Sequence, residues 1–326
     1  MHIVITGGAG FLGRRLADRL LSRGTLRTQD GSEAPVGRIA LVDVVTPASS
    51  ADPRIVPLTG DISDPAFLAS VIGPDTTSVF HLAAVVSGMA EADFDLGMRI
   101  NLDATRGLLD VCRACATQPR VVFTSSVAVY GGDMPRTVLD STALNPQTSY
   151  GTQKAMAELL IGDYTRRGFI DGRVMRLPTI TVRPGRPNAA ASSFASGVVR
   201  EPLNGQEAIC PVDPDARLWV LSPSAVVECL IAGHELAPAL FGASRAVNLP
   251  GLSVSAGEMV SALERVAGRQ AAERVRWARD PRIARMVASW PAEWDTSRAT
   301  SLGFPGVSSF DQIIRDYMRD ELKPAR

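Results

Sequence analysis

The seven residues Gly7-Gly8-Ala9-Gly10-Phe11-Leu12-Gly13 constrain the fold more than any other stretch of the chain. They follow a β-branched run at residues 3–6 and open an apolar-periodic segment over 11–22. Counted from Gly7, the glycines are spaced Gly-x-x-Gly-x-x-Gly. A Cβ on Gly7 or Gly10 would obstruct a tight turn and keep a pyrophosphate away from backbone N–H groups, and Gly13 lets the helix pack closely on the strand. Glycine spacing alone is weak support for a function. At the first strand-to-helix junction of a βα array it predicts that this loop, with Phe11 and Leu12 at the helix start, binds a dinucleotide.

That array is visible downstream. Short apolar runs at 39–43, 55–58, 79–84, 121–125 and 173–177 are interspersed with amphipathic segments at 65–72, 100–116 and 150–167. Several runs are apolar without alternation, as a parallel sheet covered on both faces requires. The expected fold is therefore α/β: a Rossmann-type doubly wound parallel sheet with a smaller C-terminal mixed α/β substrate domain. At 326 residues the chain has length for two domains. After Leu177, six prolines (178, 184, 187, 202, 211 and 214) interrupt a Gly/Ala/Ser-rich stretch that should not sustain long regular elements. Helical patterning returns at 224–236, 255–266 and 308–322. Residues 1–178 are expected to form the dinucleotide domain, with a sheet-completing return around 216–250, and 179–326 mainly the substrate region. Segment 24–37 reads as an exposed, mobile loop inserted before the second strand.

Asp43 ends the second strand run, where a carboxylate accepts hydrogen bonds from the adenosine ribose and repels a 2′-phosphate, which predicts NAD over NADP. The plainer alternative is an aspartate opening a turn. Further along, Tyr150-Gly151-Thr152-Gln153-Lys154 begins a helical segment, so Tyr150 and Lys154 share one face. An ammonium beside a phenol favours phenolate and brings tyrosine towards general-base range. Ser126 follows the strand run at 121–125, at the carboxyl edge where parallel sheets bind ligands, and can hold a substrate oxygen. Tyr-x-x-x-Lys alone is common by chance. Its order after a glycine loop, an acidic strand end and a serine strand end points to hydride transfer.

Other chemistries find little support. Lys plus Arg and Asp plus Glu both number 34, so no overall charge draws the chain to nucleic acid or anionic lipid. The arginines around Trp277 (274, 276, 279, 282 and 285) read as a solvated face. Cys112 and Cys115 lie among Leu108, Leu109 and Val111 and read as core, and with three scattered histidines no metal site is expected. No Gly-x-Ser-x-Gly elbow suggests a hydrolase. The absence of a signal-like start and of any long apolar run suggests a cytoplasmic protein.

These motifs resemble the extended short-chain dehydrogenase/reductases of the NAD-dependent epimerase/dehydratase group. The resemblance runs essentially end to end and implies further site residues. Asp61 and Ile62 would contact adenine; Leu82, Ala83 and Ala84 would line the cofactor after His81; Asn101 matches the group's helix asparagine; and Pro178, Thr179 and Ile180 would lie beside the carboxamide. Ser126 falls at the catalytic position with Tyr150 and Lys154. Residues 295–304 resemble the C-terminal signature. Val127 and Ala128 stand where dehydratases carry Asp-Glu, which disfavours dehydration.

Stretches 81–106 and 178–203 resemble D-erythronate dehydrogenases, implying NAD-dependent oxidation of the C2 hydroxyl of a short sugar acid, D-erythronate to 2-oxo-tetronate. A carboxylate anchor is then needed, and Arg183 and Arg217 are the two candidates. Ser87 and Asn188 are weaker candidates for substrate hydroxyls. The alternatives are a nucleotide-sugar epimerase that retains its NAD and a non-catalytic NAD sensor. The resemblance also implies a homodimer formed through helices at 101–116 and 150–167.

Overall fold

A computed structural model describes residues 1–115, 117–185 and 190–322. The central sheet grows from β1 (His2–Thr6), all five residues of which are buried. A strand of Ile and Val offers no face to water, so both of its sides need cover. β1 lies between β2 (Arg38–Asp43) and β4 (Thr76–His81) and is parallel to both, with Val4 opposite Ala40 and Val79. β3 (Ile55–Thr59) extends the sheet beyond β2, and β5 (Arg120–Ser126) beyond β4, again in parallel. β6 (Asp171–Leu177) and β7 (Ala246–Asn248) complete the order β7-β6-β5-β4-β1-β2-β3. This is the expected doubly wound α/β sheet, and its order reverses between β1 and β4. At such a switch point the connections leave in opposite directions and open a crevice at the strands' carboxyl ends.

The helices follow from sequence spacing. α1 (Phe11–Arg23) buries Gly13, Leu16, Ala17 and Leu20, one helical stripe, and stops at Gly24 in the left-handed conformation (φ +73°). α2 (Pro65–Val71) is capped by Asp64, whose carboxylate accepts the Ala66 N–H. α3 (Ala104–Ala114) buries Leu108, Leu109 and Cys112, in keeping with a packing role for that cysteine. α4 (Ser149–Arg166) is capped by Thr148, which accepts the Gly151 N–H.

Contacts between Cα atoms divide the chain into two compact units. The first comprises residues 1–129, 146–176 and 227–247, and the second residues 130–145, 177–226 and 248–326, described as far as the structure describes the chain. The second unit has its own core, with Val182, Phe194, Val198, Val220, Met259, Leu263, Ile313 and Ile314 among its members. A small sheet there joins Thr179–Ile180, Arg217–Leu221 and Leu252–Ser255.

Three local expectations are corrected. Segment 24–37 holds an antiparallel hairpin, Thr25–Arg27 with Glu33–Pro35, rather than a bare loop. It is anchored by the fully buried Leu26, and its turn is built on Asp30, which accepts the Ser32 N–H, and on Gly31 at φ +85°. The proline-rich region contains an eleven-residue helix, Ser193–Leu203. Its buried Phe194, Ala195, Val198, Val199 and Pro202 recur at helical spacing, and Pro202 is tolerated because it lies in the last turn. The helix expected over 100–116 instead begins with a wider π turn, Met98–Asp103, ahead of α3. A π turn rotates its side chains relative to an α-helix and is frequent at functional sites.

Candidate active site

The loop between β1 and α1 has the shape a pyrophosphate needs. Gly7 takes φ +72°, and a Cβ on it would lie 2.9 Å from Ala83 N. A Cβ on Gly13 would collide with the Gly7 carbonyl. Gly8, which the spacing left without a role, is pressed against β2: its N–H donates to Val42 O at 3.0 Å, and a Cβ would come within 2.9 Å of Val42 N. α1 starts after Gly10, which has no side chain to cap it. The helix-opening N–H groups at Phe11 and Leu12 therefore have no side-chain acceptor, and the helix dipole behind them favours an anion. These residues fit a dinucleotide pyrophosphate.

Asp43 ends β2 half-buried beside this loop. Its Oδ2 accepts the Ala9 N–H at 3.0 Å and its Oδ1 the Val45 N–H at 3.1 Å. Asp61 Oδ1 accepts the Ser63 N–H at 2.8 Å, which holds its carboxyl below the usual range, and Arg99 stands 3.6 Å from Oδ2. Ile62 is buried.

The backbone after β4 is tied down by buried polar groups. Thr6 Oγ1 accepts the Leu82 and Ala83 N–H groups, both at 3.2 Å, and pairs with His81 Nδ1 at 2.7 Å. His81 Nε2 meets Thr105 Oγ1 at 2.9 Å, and Thr105 donates to Asn101 O at 2.8 Å. Because Thr105 spends its proton on that carbonyl, the neutral imidazole must carry its own proton on Nε2 and accept at Nδ1. Burial, with Lys154 nearby, pushes the His81 pKa down to about 3, which keeps the ring neutral. Asn101 stands on the π turn, with Oδ1 accepting the Val85 N–H at 2.8 Å and Nδ2 donating to Val85 O at 3.1 Å and Gln153 Oε1 at 2.8 Å. It acts on the loop that includes Leu82, Ala83 and Ala84, and through Gln153 ties that loop to α4. Sequence reasoning passed over Gln153, whose position between Tyr150 and Lys154 was the available signal.

α4 brings Tyr150 and Lys154 to the end of β5. A Cβ on Gly151 would collide with the Ala128 carbonyl, so this glycine lets the first turn of α4 sit directly on the backbone that follows Ser126. Ser126 Oγ accepts the Ala128 N–H at 3.1 Å and, among the described residues, its O–H donates to no protein group. Side chains alternate across a strand, so Ser125 points the other way and donates to the buried Glu158. Lys154 is 1% exposed; its Nζ donates to Thr124 O at 2.9 Å and lies 4.5 Å from the Phe123 ring centre and 5.7 Å from that of Tyr150. Burial lowers its pKa to about 7, with Glu158 opposing the shift. Glu158 in turn accepts from Arg176 Nε at 3.1 Å and Nη2 at 2.7 Å, a pairing that sequence reasoning missed.

Ser87 is half-buried at the start of the helix Ser87–Ala92. The remaining candidates belong to the second unit. Pro178 is buried, and Thr179 and Ile180 pair in parallel with Val220 and Leu221. Arg183 donates from Nη2 to Ser192 Oγ at 3.1 Å. Arg217 donates to Ser253 Oγ and O, both at 3.2 Å, and forms an ion pair with Glu258 at 3.2 Å. Asn188 lies outside the described residues. Among the described residues no group of three or more His, Cys, Asp or Glu could hold a metal ion, and no helix is long and apolar enough to cross a membrane.

The model of the NAD dependent epimerase/dehydratase family matches residues 3–219. The chain belongs to that family. Its cofactor is NAD. The chain is 61% identical to a D-erythronate dehydrogenase of Cupriavidus necator over 320 residues, 98% of both chains. It is 45% identical to a D-erythronate dehydrogenase of Haemophilus influenzae over 323 residues, 99% of this chain and all of that one. Among solved structures, the nucleoside-diphosphate-sugar epimerase from Agrobacterium tumefaciens superposes with a TM-score of 0.93 at 45% identity, covering 99% of this chain and 94% of that one.

The Asp43 carboxylate, held between two backbone N–H groups, gives a first prediction. Asp43→Ser should raise kcat/KM for NADP relative to NAD by on the order of tenfold, the effect of about 1.4 kcal/mol of lost repulsion, and Asp43→Arg should raise it further. Steady-state kinetics with both cofactors checks this, and an unchanged ratio would remove Asp43 as the selector.

Proposed function

We propose that this family member is a dehydrogenase that oxidises the C2 hydroxyl of D-erythronate to 2-oxo-tetronate with NAD. The observation that carries the reading is near-complete, full-length likeness to two D-erythronate dehydrogenases at 61% and 45% identity. The chemistry of the site agrees with it. NAD, when bound, accepts a hydride. Ser126 donates its free O–H to the substrate oxygen and fixes the alcohol. Tyr150, as phenolate, takes the hydroxyl proton while the C2–H bond breaks and C2 becomes a carbonyl. Lys154 supplies the positive charge that makes phenolate accessible near neutral pH.

In this reading residues 1–178, with the return to the sheet, bind the cofactor, and 179–326 mainly recognise the acid. Loop residues Gly7, Gly10, Phe11, Leu12 and Gly13, with Asp43, Asp61, Ile62, Leu82, Ala83, Ala84, Asn101, Pro178, Thr179 and Ile180, make up the cofactor surface. Arg183 and Arg217 are the two candidate anchors for the substrate carboxylate. Arg217 also forms an exposed ion pair with Glu258 at 3.2 Å, which an incoming carboxylate can displace. We assign a homodimer through the region of α3 and α4. Leu159 on α4 is 70% exposed and Phe94 57%, and a groove of about 450 Å³ runs past Phe94, Met98 and Met156, apolar surface that a second copy would cover. Four free cysteines suit a reducing, cytoplasmic setting.

Incubated with NAD and a panel of four- to six-carbon sugar acids, the protein should release NADH steadily with D-erythronate. Turnover of a UDP-sugar without net NADH would establish the epimerase alternative, and NAD binding without any turnover the sensor. Tyr150→Phe should lower kcat by about 100- to 10,000-fold with NAD binding retained; a fully active variant would refute the base assignment. Replacing the anchoring arginine, Arg183 or Arg217, by Met should raise KM for the acid by about tenfold or more while KM for NAD stays put; a replacement that raises both alike removes that arginine as the anchor. Light scattering should give twice the chain mass, and a stable monomer would overturn the dimer.

A further inference from the structure

We infer that Glu158 is a positioning residue for the reaction: with Ser125 and Arg176 it forms a buried network that holds the Lys154 ammonium on the Thr124 carbonyl, beside Tyr150. This rests on the reading of Tyr150 as the base.

Glu158 follows Lys154 by four residues on α4, so the two share a face. It is 6% exposed and its partner Arg176 5%. Its carboxylate accepts the Ser125 O–H and the fork of Arg176, with Nε 3.1 Å from both oxygens and Nη2 2.7 Å from Oε2. Three elements are thereby fastened together: α4 by Glu158, β5 by Ser125 and β6 by Arg176. β5 is the element that matters most, because the residue before Ser125 supplies the carbonyl on which Lys154 sits, and the residue after it is Ser126. Stability alone does not call for such an arrangement, since a buried ion pair can commonly be replaced by apolar side chains of similar volume without loss.

The network also bears on charge. Lys154 is faced by the Phe123 ring and Thr124 carbonyl of β5, by the neutral His81 of β4, and by Tyr150 and Glu158 of its own helix. Arg176 of β6 bonds to Glu158. Among these groups Glu158 carries the negative charge that favours the ammonium, and burial works against it. Loss of the carboxylate would let Lys154 give up its proton at lower pH, and Tyr150 would lose the cation that favours its phenolate.

The chain has four tyrosines, so the ultraviolet phenolate titration of the NAD-loaded protein minus that of Tyr150→Phe isolates Tyr150. Glu158→Gln should move this titration to higher pH by about one unit and carry the acid limb of kcat/KM with it, about a tenfold loss below the limb and convergence above it. Glu158→Asp, which keeps the charge, should restore most of the original curve. Because Glu158→Gln leaves the Arg176 guanidinium without its carboxylate, Glu158→Gln/Arg176→Met is measured alongside; with both charges gone it should show the same upward move. If the folded double variant titrates and turns over with the unaltered pH profile and differs only in melting temperature, Glu158 is structural and the inference falls. If the unaltered protein oxidises no sugar acid while the Tyr150 titration still moves, the functional reading fails and the network stands.

Discussion

A cationic nitrogen sealed from water organises the centre of the first unit. Removing an ammonium from solvent costs several kcal/mol even after relaxation. The 1% exposed Lys154 recovers part of this through the Thr124 carbonyl at 2.9 Å, the face of Phe123 at 4.5 Å and the Glu158 carboxylate, and the part left over lowers its pKa to about 7. Each partner lies on β5 or α4, so the helix must approach the strand end closely. Gly151 permits that approach, because any side chain there would strike the Ala128 carbonyl. Tyr150 stands in the same first turn and inherits its position from the contact. The chemistry and the packing of this corner are thus one problem, solved by the absence of a single methyl group.

The backbone after β4 is held by uncharged polar groups. A neutral His81 bridges Thr6 on β1 and Thr105 on α3, while Thr6 also receives the N–H groups of Leu82 and Ala83. The backbone that crowds Gly7 is therefore fixed from behind, and Gly7 must remain a glycine because that backbone cannot retreat. Asn101 continues the same work one loop further on and reaches across to Gln153 on α4. Through these bonds the glycine loop, the loop after β4 and the tyrosine helix share one framework.

What the sequence made legible were features with local causes. Three glycines at fixed spacing, an acidic strand end and a Tyr/Lys pair one helical turn apart each express a demand on nearby backbone or on one helix face. The apolar strands without alternation likewise betray a sheet covered on both sides. Partnerships between distant residues were not legible: Arg176 finds Glu158 eighteen positions away and Asn101 finds Gln153 fifty-two away, and no spacing rule announces either. The hairpin at 25–35 escaped notice because a single leucine, Leu26, anchors it within a polar stretch. The helix at Ser193–Leu203 is hidden by its proline content, since a proline is tolerated at one end of a helix and composition does not show where it stands.

Under the proposed mechanism the first unit's chemistry does not by itself choose a substrate, since any secondary alcohol presented to Tyr150 and Ser126 would meet the same groups. Selection has to come from side chains that recognise the remainder of the molecule, and Arg217 shows what such a side chain must contend with. Glu258 serves Arg217 and also caps the helix Ala256–Ala267, where its carboxylate accepts the Ser255 N–H at 2.6 Å. To free Arg217 for a dianionic ligand would therefore disturb a helix start as well as an ion pair. Both partners are exposed, Arg217 by 43% and Glu258 by 55%, so water screens the pair and a ligand anion can compete with Glu258. An anion that engages both arms of the guanidinium fork is therefore the kind that would displace Glu258 from Arg217.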